Sequence, residues 1–320
     1  MEREKHEHND APRSTLHASG HKPVLLHEVI QFLDPRPEDF VIDGTLDGGG
    51  HAAVMLEKVG PKGMVLGVDL DETMIARAKE RFGSAKNFLG VHGNYAELPE
   101  VLKREKLGKA DGLLLDLGFS SEQLEHSGRG FSFSAKGGSA SGGERDEPLL
   151  MTYDFAAPPV KQIIRELDET TLAKIIFELS GEKFARRIAR AIKEEGRKRR
   201  IETTGELAAV IARAVPRHYE RGRINPATRT FQALRIYANH ELENLESALA
   251  NLNEAMKSGG RVVVISFHSL EDRIVKNVFR RMEKENIISI LTKKPVMPSA
   301  EEISQNPRSR SAKLRAVVIK

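Results

Sequence analysis

The sequence predicts an α/β fold: a parallel sheet covered by helices on both faces, interrupted by an inserted all-helical unit. Three observations carry this. From His21 onward, short apolar runs alternate with helix-forming stretches, the pattern of a doubly covered parallel sheet. Three consecutive glycines, Gly48 to Gly50, stand between one apolar run and the helix after it. Beyond the Gly/Ser-rich segment Ser134 to Gly143, a long stretch shows helical periodicity and no strand-like run, which reads as an insertion.

Met1 to Gly20 is polar and unpatterned, a solvated tail in which His6, His8 and His17 carry no site. The strands expected next are Phe40 to Ile42, Met64 to Val68, Phe88 to Val91, Gly112 to Leu115 and, after the insertion, Arg261 to Ser266. A helix is expected over Ala52 to Lys58, directly after the glycines. Within the insertion, Glu182 to Arg200 places Lys183, Arg186, Arg187, Arg190 and Lys193 on one face and Phe184, Ile188, Ala191 and Ile192 on another. The next helix starts with Asn225 as N-cap and Pro226 at its first position. Apolar residues from Phe231 to Met256 then recur every three or four positions, and Gly259 and Gly260 are expected to stop the helix.

Composition narrows the function classes. The chain has 320 residues, a formal net charge of +4 and no cysteine, with a pI near 9.1. Disulfides, thiolate catalysis and cysteine zinc sites are excluded, and no metal site is expected. No apolar run approaches the roughly 18 residues of a membrane span, so a soluble cytoplasmic protein without a membrane partner is expected. The basic residues are clustered, which suits a polyanionic partner.

The segment Asp43 to His51 holds the strongest chemical signal. Glycines lack Cβ, so the backbone can approach a ligand closely, and the free N–H groups of the following helical turn can face it. Asp69 closes the second strand about 20 residues further on, the spacing at which an acid commonly holds ribose hydroxyls. Asp116 ends the fourth strand, at the carboxyl edge where open α/β sheets bind ligands. Single aspartates at strand ends also cap turns. Three of them, Asp43, Asp69 and Asp116, facing one crevice would repel a pyrophosphate and suit S-adenosylmethionine, which has ribose hydroxyls, an amine and a sulfonium. In Ser266 to Arg273, His268 with Glu271 and Asp272 reads as helix capping, with Ser266 or Ser269 as the cap.

Longer motifs add a family. HKPVLL at His21 to Leu26, DGLLLDLGFSSEQL at Asp111 to Leu124, RGFSF at Arg129 to Phe133, PATRTFQALRI at Pro226 to Ile236, SFHSLEDRIVK at Ser266 to Lys276 and NPRSRSAKLRA at Asn306 to Ala316 resemble the bacterial small-subunit rRNA cytosine-N4-methyltransferases, the RsmH or MraW family. The resemblance runs from His21 almost to Lys320. It implies a Rossmann-like S-adenosylmethionine-dependent methyltransferase sheet (21–124 and 225–320) with an inserted helical substrate-recognition domain (125–224), after a tail over 1–20. It also implies methyl transfer to N4 of a cytosine in the decoding region of 16S rRNA. Carried over by motif, the cofactor-binding residues are Gly49, Gly50, His51, Asp69, Tyr95, Asp116 and Gln123. Asp116 and Ser120 are the catalytic candidates, because an acceptor near the N4 hydrogens would draw electron density onto that weakly nucleophilic nitrogen.

Arg129, Arg186, Arg190, Arg229, Arg235, Arg308 and Arg310 are the expected RNA contacts, with Lys313 and Arg315 beside them. The partner is 16S rRNA or the small ribosomal subunit; no obligatory protein partner is evident, and the exposed helical unit offers a surface for a homodimer. The chain departs from the family at Asp47, where glycine is usual, at Ala52, at Asn225, where histidine is common, and over Pro148 to Tyr153, which replaces Pro-Leu-Asp-Met-Arg-Met. A different class therefore stays open: an RNA-binding ribosome-assembly factor that keeps the cofactor but has altered or lost catalysis.

Overall fold

The computed structural model describes residues 23–83, 85–118, 128–131, 146–222 and 225–320. The expected tail, His21 and Lys22, Ser120, Gln123, Phe133 and the segment Ser134 to Gly143 lie outside the described residues. The first part of the chain runs α1 (Leu26–Leu33), β1 (Phe40–Asp43), α2 (Gly50–Val59), β2 (Met64–Asp69), α3 (Glu72–Phe82), β3 (Phe88–His92), α4 (Leu98–Arg104) and β4 (Ala110–Asp116). A helical stretch follows: α5 (Val160–Glu166), α6 (Glu169–Ser180), α7 (Ala185–Lys198), α8 (Thr204–Ala214) and α9 (Thr228–Ala238). The chain then returns through α10 (Glu241–Ala250) and α11 (Leu252–Ala255) to β5 (Met256–Ser266), α12 (Ser269–Lys284), β6 (Ile288–Ile290), α13 (Ala300–Gln305) and β7 (Lys313–Ile319).

These strands form one sheet in the order β3-β2-β1-β4-β5-β7-β6. β1 to β5 run parallel to one another, and β7 runs antiparallel to both β5 and β6. Period-two side-chain alternation sorts the apolar residues onto two faces. Ile42, Leu113, Leu115, Val262 and Val264 pack with α4, α10 and α12 on one face. Val41, Leu114, Val263 and Ile265 pack with α1, α2 and α3 on the other. Strands apolar on both faces need helices on both, which is why the apolar runs were short and unbroken.

The expected long helix from Asn225 is three helices. Asn225 does not cap it: its side chain accepts from Ala227 N at 2.9 Å in a turn ahead of α9. The chain breaks at Asn239 and His240, the latter in a left-handed conformation with φ 50°. Asn239 leaves the helix to bond elsewhere, its Nδ2 donating to Met151 O at 2.8 Å and its Oδ1 accepting from Tyr153 N at 2.8 Å. Gly259 and Gly260 stop no helix; they lie inside β5, beside the register shift opposite Ala110 and Gly112. Phe231, Leu234 and Ala238 of α9 pack in the core of the helical unit, with Leu149, Met151, Ile164 and Ile188. The changeover to the sheet thus falls at His240, later in the chain than the expected 225.

Helix α12 is capped by His268, not by Ser266 or Ser269: Nδ1 accepts from Glu271 N, and Glu271 Oε2 accepts in return from His268 N at 3.2 Å. Among the described residues, no helix is long and apolar enough to cross a membrane.

Arg129, expected on the RNA surface, is 3% exposed and joins the two units. Its Nη2 donates to Asp71 Oδ1 at 2.9 Å, where Asp71 also caps α3 by accepting from Thr73 N. Nη1 donates to Tyr153 O at 2.7 Å, and the guanidinium lies 3.9 Å from the centroid of Phe155. A buried charge that loses its partner costs about 3–5 kcal/mol. Arg129→Met is therefore expected to lower stability by about 3 kcal/mol in denaturant unfolding. Adding Asp71→Asn should cost less than the two single changes summed; strictly additive costs would show that the pair is not coupled.

Candidate active site

The chain reverses between strands β1 and β4 in the sheet order, and parallel strands open a crevice at such a point beyond their carboxyl ends. Asp43, Asp69 and Asp116 are the last residues of β1, β2 and β4. The crevice there is lined on one side by Thr45, Asp47, Gly50, His51, Asp69 and Asp116, and on the other by Tyr95, Tyr153, Asn239, Glu241 and Glu271. The sequence brought the first group together and missed most of the second; Asp43, expected to face the crevice too, is buried and does not line it.

The glycine loop has the conformation its residues require. Gly48 and Gly49 have φ of 75° and 82°, and a Cβ on Gly49 would lie 2.6 Å from the Phe82 ring. Asp47 itself sits at φ 45°, a left-handed position that aspartate tolerates and glycine prefers. That accounts for the departure from the family's usual glycine. The loop is hung on carboxylates. Asp43 is 1% exposed and accepts from Thr45 N at 3.3 Å. Asp69 Oδ2 accepts from Asp47 N at 3.0 Å and Oδ1 from Asp71 N at 2.8 Å. Each Asp69 oxygen keeps a second lone pair for a ligand hydroxyl. Thr45 Oγ1 accepts from Asp116 N at 2.7 Å, which ties the loop to the end of β4.

His51 is buried at the start of α2. Its Nε2 lies 3.0 Å from Val24 O and its Nδ1 3.6 Å from Asp116 Oδ2. The imidazole is a strut between the chain ahead of α1 and the Asp116 carboxylate. Asp116 Oδ1 is buried with no hydrogen-bond partner among the described residues. Unpaired buried acceptors are costly, so this oxygen marks a place where a ligand belongs.

The electrostatics follow from crowding. Burial raises Asp69 to about 6, opposed by the N–H groups of Asp47 and Asp71. Burial raises Asp116 well above the usual carboxylate range, with further increments from Asp47, Asp43 and Glu271. Burial does the same for Asp43. Glu241 is answered by Arg235, whose Nε and Nη2 donate to its two oxygens at 2.8 and 2.9 Å, and it also accepts from Tyr153 Oη at 3.2 Å. Among the described lining residues, Arg308 at the mouth is the arginine that faces these acids. The crevice favours a ligand carrying positive charge.

The expected RNA residues divide. Arg186, Arg190, Arg308 and Arg310 are exposed. Arg235 is 9% exposed and is committed to Glu241, so its expected RNA contact is withdrawn along with that of Arg129. Arg229 is half-buried beside Tyr219 and Glu182. Lys193 leaves the basic face to cap α5, its Nζ donating to the carbonyls of Ile164, Arg165 and Leu167. Lys313 and Arg315 are held by Asp272 at 3.3 and 2.7 Å.

A family model described as the MraW methylase family matches residues 18–320. The chain is 44% identical over 315 residues to a protein of Trichlorobacter lovleyi named ribosomal RNA small subunit methyltransferase H, covering 92% of this chain and 97% of that one. Proteins of the same name from Thermotoga neapolitana (45% over 301 residues, 92% and 95% covered) and Syntrophus aciditrophicus (42% over 316 residues, 93% and 96% covered) are similarly related.

The raised Asp69 sets a pH dependence. Its folded value of about 6 lies above the unfolded one, so its contribution to stability is complete below about pH 4 and is lost as pH rises through 6. Asp69→Asn lacks this titration. The thermal midpoint of the variant relative to wild type, both without ligand, should therefore climb between pH 4.5 and 7.5; a constant difference would contradict the raised value.

Proposed function

The chain belongs to the MraW methylase family, and we propose that it is a methyltransferase acting from S-adenosylmethionine on N4 of a cytosine in the decoding region of 16S rRNA. The single observation that carries the site reading is the buried Asp116 Oδ1, without a hydrogen-bond partner among the described residues, in a crevice of carboxylates beside a glycine turn. Such a set fits a donor with ribose hydroxyls at one end and a cationic sulfonium at the other, and it disfavours a phosphate. Bound there, the donor supplies an electrophilic methyl group.

The chain's own residues then do four things. Asp69 accepts from the two ribose hydroxyls with the lone pairs its backbone bonds leave free. Gly49 and Gly50 bring the backbone close, and the start of α2 presents N–H groups. Tyr95, just beyond β3 and lining the crevice, gives the adenine a flat neighbour. Asp116 is first a ligand of the donor and then the acceptor for an N4 hydrogen, which raises the nucleophilicity of the conjugated amine. Alignment and electrostatic complementarity supply most of the rate in such a displacement. Gln123 and Ser120 keep their proposed cofactor and catalytic roles on the strength of the motif.

On the RNA side, Arg186, Arg190, Arg308 and Arg310 are the exposed cations proposed as phosphate contacts, and Arg229 contributes from its half-buried position. The helical unit is proposed as the substrate-recognition domain, and the cytoplasm, where rRNA is processed, as the compartment. Phe177, 58% exposed on α6, supplies an apolar anchor for the proposed homodimer.

The test is to incubate the protein with labelled S-adenosylmethionine and small subunits that lack the modification, then identify the product nucleoside by mass spectrometry. N4-methylcytidine is the expected result; donor binding with no transfer would replace this reading with an RNA-binding assembly factor. Charged hydrogen bonds contribute about 1.5–3 kcal/mol, so Asp69→Ala should weaken donor binding about 10- to 150-fold. Asp116→Asn should lose far more turnover than stability, and wild-type turnover in that variant would remove it from the mechanism.

A further inference from the structure

A second cavity, of about 280 Å³, lies in the helical unit between α5, the C-terminal half of α7 and the chain entering α8. It shares no lining residue with the crevice. Its apolar lining includes Ile164, Ile192 and Ile201, all three at the edge of the unit's core. Arg165, Arg197 and Arg200 stand exposed around it. Its carboxylate, Glu202, is already paired with Lys161 at 2.8 Å, and Lys193 is spent on the carbonyl ends of α5. Arg165 lies 3.9 Å from Glu166, and Glu202 feels both Arg165 and Arg200, so with Lys161 and Lys193 counted the cavity's surroundings carry more positive than negative charge. Arg197 also continues the face that carries Arg186 and Arg190, at steps of three or four residues through Lys193.

One residue in this wall has no packing explanation. Gly196 lies inside α7, where glycine is the least favourable residue apart from proline. Its φ is not in the left-handed region, and a Cβ there would meet nothing within 4 Å. No neighbour requires the glycine. A Cβ there stands in open space beside the cavity that Gly196 lines, so the position admits a larger side chain at the cavity wall.

We propose that this cavity binds one unpaired nucleotide of the RNA substrate, with the base against the isoleucines and the flanking phosphates on Arg165, Arg197 and Arg200. The proposal rests on the rRNA reading given above. It makes α7 a ridge that tracks the RNA backbone and ends in a pocket, so the helical unit grips the RNA at a point separate from the reacting cytosine. Apolar walls with arginine at the rim suit single-stranded RNA, because an unstacked base needs a dry surface and its phosphates need cations.

Two variants test it. Gly196→Leu sets a bulky side chain at the cavity wall, leaves every charge in place and improves helix propensity, so misfolding does not confound the result. Arg197→Gln with Arg200→Gln removes two cations. Affinity for unmodified small subunits is measured by filter binding across a salt series, with S-adenosylmethionine affinity as the control. Gly196→Leu should weaken subunit binding at least about fivefold with donor affinity unchanged. The double variant should flatten the slope of log affinity against log salt by about 1.5, the loss of two phosphate contacts. Subunit binding by Gly196→Leu at the wild-type level would overturn the proposal, since the arginines would then act only as a diffuse charged face. Failure of the wild-type protein itself to bind small subunits would overturn the substrate reading, and the proposal with it; the two failures are thus distinguishable.

Discussion

Parallel strands of a doubly covered sheet end on the same edge, and here three of them end in aspartate. β1 lies between β2 and β4, so topology alone brings Asp69 and Asp116 to one crevice, with Asp43 buried close by. Asp47 comes in from the glycine loop, and Glu241 and Glu271 from the returning helices. Burial and mutual repulsion raise the proton affinity of Asp43 and Asp116, and at Asp43 backbone N–H groups oppose the rise. The same bonds that quiet Asp43 and Asp69 hold the glycine loop in its left-handed turns. Loop shape, crevice charge and the remaining appetite for a positive ligand are consequences of one arrangement.

The helical unit is fixed to that arrangement at short range. Arg129 reaches Asp71, two residues beyond Asp69, and on its other side holds the carbonyl of Tyr153. Asn239 binds the backbone of both Met151 and Tyr153 where the chain leaves the helical unit. Arg235 and Glu241 close the circle, with the Tyr153 hydroxyl on Glu241. These contacts join the helical unit to the backbone next to Asp69, the acid proposed to hold the ribose, and to the wall opposite Asp116. This gives the helical unit a short physical route to the proposed donor site.

Much of this was readable in the sequence, for identifiable reasons. The five parallel strands announced themselves because strands buried on both faces are short unbroken apolar runs. Asp69 and Asp116 were found because they punctuate those runs. β6 and β7 were missed. β6 is three residues long, and β7 carries Lys313 and Arg315, whose charges hide its alternation until Asp272 is seen to neutralise both. The long helix after Asn225 was overextended because Phe231 to Met256 keeps helical spacing through the break at His240; the break is made by Asn239 bonding a segment far away in sequence. Tyr153, Asn239 and Glu241 entered the crevice unannounced for the same reason. Arg129 and Arg235 were read as surface cations, since a sequence shows an arginine's charge and not the acid that buries it.

The measurement that bears most directly on this account is a crystal structure of the protein with S-adenosylmethionine bound. The account places the ribose hydroxyls on Asp69, the adenine beside Tyr95 and a donor hydrogen bond on the Asp116 oxygen that has no partner among the described residues. A donor bound outside this crevice, or inside it with Asp69 and Asp116 both untouched, would contradict the claim that these two strand-end carboxylates define the site.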